Sequence, residues 1–197
     1  FTLTYGTSPA TTGQAQAAAE AAGTTFDPTG FVAGLGYTKN EFLTYLIIGV
    51  VFFGIFTVVS GPLAEKLGRR KMLMGVTMLI AVYGLVVNTL FNAGTVGVII
   101  ALIVGFILMG LTFGPMAAYL PELFPANVRY TGSAVSYNMS SVIGAGPAPF
   151  AMVALWQAEG GTIFYCGLYI IGAAILTFIA LFLAKDTSDL DMEEQLS

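Results

Sequence analysis

Five long stretches of this chain carry no Asp, Glu, Lys or Arg: Phe42 to Pro62, Met72 to Phe91, Gly97 to Leu120, Gly132 to Trp156 and Thr162 to Ala184. Each has the roughly 20 apolar residues that a helix needs to cross a hydrocarbon core of about 30 Å. No stretch alternates apolar and polar positions as a barrel strand does. A lone segment in lipid must satisfy its own backbone groups, so the pattern predicts transmembrane helices. Thr38 and Glu41 stand three residues apart ahead of the first span, the spacing of a capping box.

The remainder divides around these spans. Residues 1–5 are expected to be the outer end of a truncated transmembrane helix, and residues 6–41 an extracytoplasmic loop. That loop is rich in Ala, Thr and Gly, and its alanine-dense part, Gln14 to Ala22, predicts a short surface helix. Residues 42–184 hold the five spans, and 185–197 form an acidic tail. If the chain crosses at every span, Lys66, Arg69, Arg70, Lys71, Arg129 and Lys185 share one side, and Lys39 faces the other. The positive-inside rule makes the basic side cytoplasmic, and with it the carboxy terminus. The expectation is a multi-pass protein of the cytoplasmic membrane.

Composition agrees. The 197 residues are 56% hydrophobic and 9% charged, with a mean hydropathy of +0.84, too little polar surface to coat a water-soluble globule. The net charge of −4 comes largely from Asp186, Asp189, Asp191, Glu193 and Glu194 of the tail, which gives no footprint for nucleic acid. Cys166 is the single cysteine and histidine is absent, so no disulfide, metal cluster or cofactor is expected. Cys166 reads as a packing residue, Glu20 and Asp27 as lone loop carboxylates, and Trp156 as an anchor at the membrane interface. No nucleophile and base can be assembled, which argues against an enzyme. The chain opens at Phe1 without a recognisable signal peptide and reads as a fragment.

Two cytoplasmic junctions carry more information. The first is the turn from Gly61 to Lys71, G-P-L-A-E-K-L-G-R-R-K, which joins two spans so closely that they must run antiparallel. Gly61 and Gly68 are expected to supply tight backbone, and Glu65 and Arg69 to pair with each other or with nearby helix ends. Lys66 and Arg70 complete the charged cluster. The second junction runs from Gly114 to Gly132, G-P-M-A-A-Y-L-P-E-L-F-P-A-N-V-R-Y-T-G. There Glu122 and Arg129 lie at the cytoplasmic ends of consecutive spans, placed to pair when an inner mouth closes.

The first junction resembles the signature loop of the major facilitator superfamily, with Glu65 where Asp is usual. The second is similar to the tenth-to-eleventh helix junction of metabolite:proton symporters. The Arg129-Tyr130-Thr131-Gly132 ending, the Tyr137-Asn138 pair and Gly144-Ala145-Gly146-Pro147 favour that branch over sugar porters, and Lys185-Asp186-Thr187 loosely echoes an element after the last helix. The resemblance implies an all-α integral membrane protein, the carboxy-terminal six-helix half of a twelve-helix fold whose amino-terminal half belongs to the same chain. It further implies secondary active transport of a small polar metabolite, an organic acid, betaine or similar, by alternating access and proton symport. The alternatives are a sugar-porter-like facilitator and a non-transporting sensor of the same fold; a channel would want repeated polar rings.

The fourth span is the least apolar. Ser133, Tyr137 and Ser141 recur every four residues on one face with Asn138 beside them, and Thr112, Met116 and Tyr119 run along a comparable face of the third span. These seven residues are the expected lining of a substrate path, although Ser and Asn in membranes also serve as helix-to-helix glue. Met116 stands where metabolite symporters often show Gln. Gly144, Gly146, Pro147 and Pro149 are expected to loosen the same helix farther out. Gly49 and Gly54, Gly110 and Gly114, and Gly167 and Gly172 mark close helix approaches. Since the five spans hold no ionisable carboxylate, base or His, a proton carrier is expected in the amino-terminal half.

Overall fold

The computed structural model describes residues 1–26, 28 and 31–184. The acidic tail, Lys185 and Asp27 therefore lie outside the described residues. Two short helices come first, α1 (Thr2–Thr7) and α2 (Thr12–Ala21). Long helices follow: α3 (Lys39–Leu67), α4 (Arg69–Asn92) and α5 (Gly94–Glu122). The next span is divided into α6 (Arg129–Ser140), a π-helical turn (Ser141–Ala145) and α7 (Ala148–Ala158), and α8 (Phe164–Leu183) closes the described chain. Counting the divided span as one, five helical segments among the described residues are long and apolar enough to cross a membrane.

The long helices outrun the apolar stretches that predict them. A helix of 29 residues such as α3 or α5 is about 43 Å long, more than the hydrocarbon core requires. The signature-like turn is consequently almost all helix. It breaks only at Gly68, whose φ of 86° lies in the left-handed region that favours glycine. Gly61, expected to share that role, sits inside α3 with nothing within 4 Å of where a Cβ would be. The start of α3 follows its sequence signal: the Thr38 hydroxyl accepts from the Glu41 amide, and the Glu41 carboxylate accepts from the Thr38 amide at 3.1 Å and hydroxyl at 2.7 Å.

Single-residue links at Gly68 and Ala93 fold α3, α4 and α5 into an antiparallel set. The broadest contacts join α3 to α5, α4 to α8 and α4 to α5. Glycines make these possible. A Cβ on Gly110 would come within 2.6 Å of the Phe53 carbonyl, one on Gly114 would collide with Ser60, and one on Gly49 with the Phe106 ring. Gly167 lies against the backbone of Gly84. Gly54 and Gly172 instead face open space, so they mark no close approach. Side chains such as Val58, Leu176 and Leu183 project outward, as apolar groups do on a lipid-facing surface.

The segment around α1, expected to be a solvated loop beyond residue 5, is more built up than that. Gly34, Leu35, Gly36 and Tyr37 donate backbone N–H groups to the carbonyls of Pro9, Tyr5, Ser8 and Gly6, closing the end of α1. Trp156 is 5% exposed, its indole N–H donates to the Ala33 carbonyl at 3.0 Å, and its ring meets Tyr5 edge-on at 5.5 Å. It is a buried tie between α7, α1 and this strap; an interfacial anchor would present its ring to the headgroups. Cys166 is buried as a packing residue, its thiol directed to the Met152 carbonyl at 3.4 Å.

Candidate functional site

The α5 and α6 helices diverge from the turn at Leu123 to Val128 and leave between them a cleft of about 350 Å³. From α5 it is lined by Phe113, Met116, Ala117, Leu120 and Pro121. From α6 come Tyr130, Ser133, Ala134, Tyr137 and Asn138. Gly132 lies under the Phe124 ring with no room for a Cβ, so the turn packs closely on the first residues of α6. The α6 helix itself has no buried residue and touches α5 sparingly, so one side of it stays open.

Of the seven expected path residues, Met116, Ser133, Tyr137 and Asn138 meet in this cleft. Thr112 lies one turn away in an adjoining cleft of about 310 Å³ that shares Phe113 and Met116, and its hydroxyl donates to the Leu108 carbonyl at 2.9 Å. Tyr119 is 4% exposed and belongs to the interior of the bundle. Ser141 opens the π-turn, with its hydroxyl on the Tyr137 carbonyl at 3.0 Å. Two lining aromatics were not anticipated, Phe113 and Tyr130. Tyr130 precedes Ser133 by three positions and Tyr137 by seven, so extending the helical stripe by one turn would have found it.

The polar groups divide by hydrogen-bonding role. Ser133 donates to the Tyr130 carbonyl at 3.1 Å, and Asn138 donates an amide hydrogen to the Ala134 carbonyl at 2.7 Å. Both spend donors on their own helix and keep side-chain oxygens as acceptors. The Phe113 ring is steadied by Phe53 of α3, edge-on at a centroid distance of 5.9 Å.

At the end of this cleft next to the α5–α6 turn lies the charged cluster. Arg69, the first residue of α4, forms an ion pair with Glu122, the last residue of α5. Arg70 reaches the other way: its Nε and a terminal nitrogen donate to the carbonyls of Leu181 and Phe182, each at 2.8 Å, at the end of α8. A guanidinium there satisfies carbonyls that the helix cannot, and meets the negative end of its dipole. One turn thus ties down two helix ends. Glu65 and Lys66 are exposed on α3, and Arg129 at the start of α6 donates from Nε to the Phe124 carbonyl at 3.4 Å. Glu122, read from sequence as a residue of the inner gate, pairs with Arg69 across the bundle.

Beyond the fold, the divided span is the least regular element. The π-turn closes with the Gly146 amide on the Ser141 carbonyl at 2.9 Å, and Pro147 and Pro149 remove two further donors just after it. Among the described residues no group of His, Cys, Asp or Glu is placed to hold a metal ion.

Comparison with known proteins accords with this architecture. The chain is 44% identical to a putative metabolite transport protein of Haemophilus influenzae, over 84% of this chain and 37% of that protein. It is also 44% identical to the inner membrane metabolite transport protein YhjE of Escherichia coli, over 83% of this chain and 37% of that protein. A proline/betaine transporter of Escherichia coli is 27% identical over 84% of this chain and 33% of its own length. The chain therefore spans little more than a third of the curated relatives it matches. No solved structure matches. Residues 22–196 match the family described as sugar (and other) transporter. This multi-pass membrane chain belongs to that family, a transporter family of the major facilitator superfamily and not a family of enzymes.

Proposed function

We propose that this chain is the carboxy-terminal six-helix half of a twelve-helix secondary transporter, which carries a small polar metabolite across the cytoplasmic membrane by alternating access coupled to protons. The observation that carries the reading is the convergence of Met116, Ser133, Tyr137 and Asn138 on one cleft, directly beside the Arg69–Glu122 pair. Polar side chains at membrane depth belong against protein or water, and a part-exposed ion pair that joins α4 to α5 at the same end of the bundle can be broken, as a gate requires. The substrate class is an organic acid, a betaine or a similar small solute. The printed names of relatives support it: a proline/betaine transporter and a citrate-proton symporter are both 27% identical to the chain.

In this reading α1 is the outer end of the seventh helix, and the basic turn and the carboxy terminus are cytoplasmic. The spans carry no ionisable acid, base or His at depth, so the proton is carried by the amino-terminal half. The test is uptake by the full-length polypeptide in proteoliposomes under an imposed inward proton gradient, with labelled organic acids and betaines offered in turn. Accumulation of one of them that a protonophore abolishes supports the proposal. Uptake that stops at equilibrium and ignores the gradient points to a facilitator, and no uptake at all points to a non-transporting sensor of the same fold.

A further inference from the structure

We propose that α6 swings as a lever about the π-turn at Ser141–Ala145 while α7 stays clamped to the bundle, and that this motion widens and narrows the α5–α6 cleft; its purpose rests on the transport reading above. The weak point starts one turn ahead of the π-turn. There the Tyr137 carbonyl accepts hydroxyl hydrogens from both Ser140 at 2.8 Å and Ser141 at 3.0 Å. Hydroxyls that return to the carbonyl ladder in this way bend helices. Pro147 and Pro149 then withhold the amides that an α-helix would give to the carbonyls of Ile143 and Ala145. Gly144, inside the turn, would meet nothing within 4 Å if it carried a Cβ, and glycine weakens a helix interior relative to alanine. Proline, glycine and a π-bulge, three of the known causes of helix kinks, thus coincide within nine residues, 141–149.

The two sides of this point are held differently. On the α7 side, Trp156 donates to Ala33 and meets Tyr5 edge-on. The Met152 carbonyl accepts from the Cys166 thiol of α8, and the Glu159 carboxylate accepts the Tyr165 amide at 2.9 Å. The link into α8 is held in turn to α4, where the Asn88 side chain accepts the Ile163 amide at 3.4 Å. On the α6 side, Ser133 and Asn138 hydrogen-bond back to carbonyls of their own helix. Its tether to α5 is the six-residue turn 123–128. Because α6 supplies one wall of the cleft and α5 the other, a swing of α6 moves one wall and leaves the other in place. Its 12 residues make a lever about 18 Å long, so a rotation of about 10° displaces the far end by about 3 Å.

The experiment measures distances between spin labels on the full-length protein in a bilayer, with Val135→Cys of α6 or Ala154→Cys of α7 paired to Leu176→Cys of α8, and other reactive cysteines replaced. The distance distribution from α6 is expected to be about twice as wide as that from α7. The double variant Pro147→Ala, Pro149→Ala, which restores both donors, is expected to narrow it to the α7 width. Should that variant fail to fold, deletion of Gly144 removes the residue by which a π-turn exceeds an α-turn. Equal widths from α6 and α7 in the unaltered protein, or a width that survives straightening in a folded variant, overturn the inference. Gradient-driven uptake with a narrow α6 distribution would overturn the lever and leave the transport reading standing. A broad α6 distribution that narrows on straightening, in a protein that takes up no organic acid or betaine, would uphold the lever and remove that reading.

Discussion

Arg69 at the start of α4 pairs with Glu122 at the end of α5, although they stand 53 positions apart in the sequence. Their side chains are 32% and 20% exposed, so the pair is neither buried nor fully screened. A pair in that setting is worth about 1 kcal/mol, enough to bias two conformations of similar energy without locking either. A double-mutant cycle with Arg69→Ala and Glu122→Ala in the full-length protein is expected to return a coupling of about 0.5–2 kcal/mol in thermal unfolding. The charge swap Arg69→Glu with Glu122→Arg should recover part of the loss seen in either single reversal. Strictly additive single effects would mean the pair contributes nothing.

Arg70 acts through backbone, which separates its role from that of its neighbour. Its fork satisfies the carbonyls of Leu181 and Phe182 together. Arg70→Lys keeps the charge and loses the two-pronged geometry. Both Arg70→Lys and Arg70→Ala are expected to speed hydrogen exchange in the last turn of α8, with Lys intermediate, and to leave the middle of α8 unchanged. Exchange in that turn that is indifferent to both substitutions would show that the cap is not maintained in the membrane.

Among the small residues the structure draws a sharp distinction. Gly110 and Gly114 sit where α5 meets α3, and any side chain there strikes Phe53, Thr57 or Ser60. Gly54 and Gly172 have open space around them. Gly110→Val is expected to cost about 1–3 kcal/mol or to prevent assembly of the bundle. Gly54→Ala and Gly172→Ala should be neutral or slightly stabilising, because alanine favours helix more than glycine by about 1 kcal/mol. Yield and unfolding temperature in detergent read both outcomes.

The spans were legible because burial in lipid is written in composition: a charge-free run of sufficient length admits one backbone solution. The capping box at Thr38 and the break at Gly68 were legible for local reasons, since each depends on residues within a few positions. Pairings across the bundle were not. Arg69 lies far along the chain from Glu122, and only the packing of α4 on α5 brings the two together, which sequence spacing does not point to. Trp156 illustrates the same limit. A tryptophan at the end of an apolar run reads as an interfacial anchor, yet here a strap some 120 residues earlier supplies the carbonyl that its N–H takes. The candidate cleft was half legible. A four-residue stripe identified Ser133 and Tyr137, while the burial of Tyr119 depends on which face α5 turns inward, and periodicity alone does not fix that in a helix apolar on every side.

The central claim, that the α5–α6 cleft lies on a transport path opening to the cytoplasm, is tested most directly by sided labelling. Asn138→Cys would be placed in full-length protein whose other reactive cysteines are replaced; Cys166 is buried. A membrane-impermeant maleimide would then be applied to inside-out and right-side-out vesicles, with and without transported solute. The account predicts labelling from the cytoplasmic face that solute slows. Equal reactivity from both faces, or reactivity indifferent to every solute the protein transports, would contradict it.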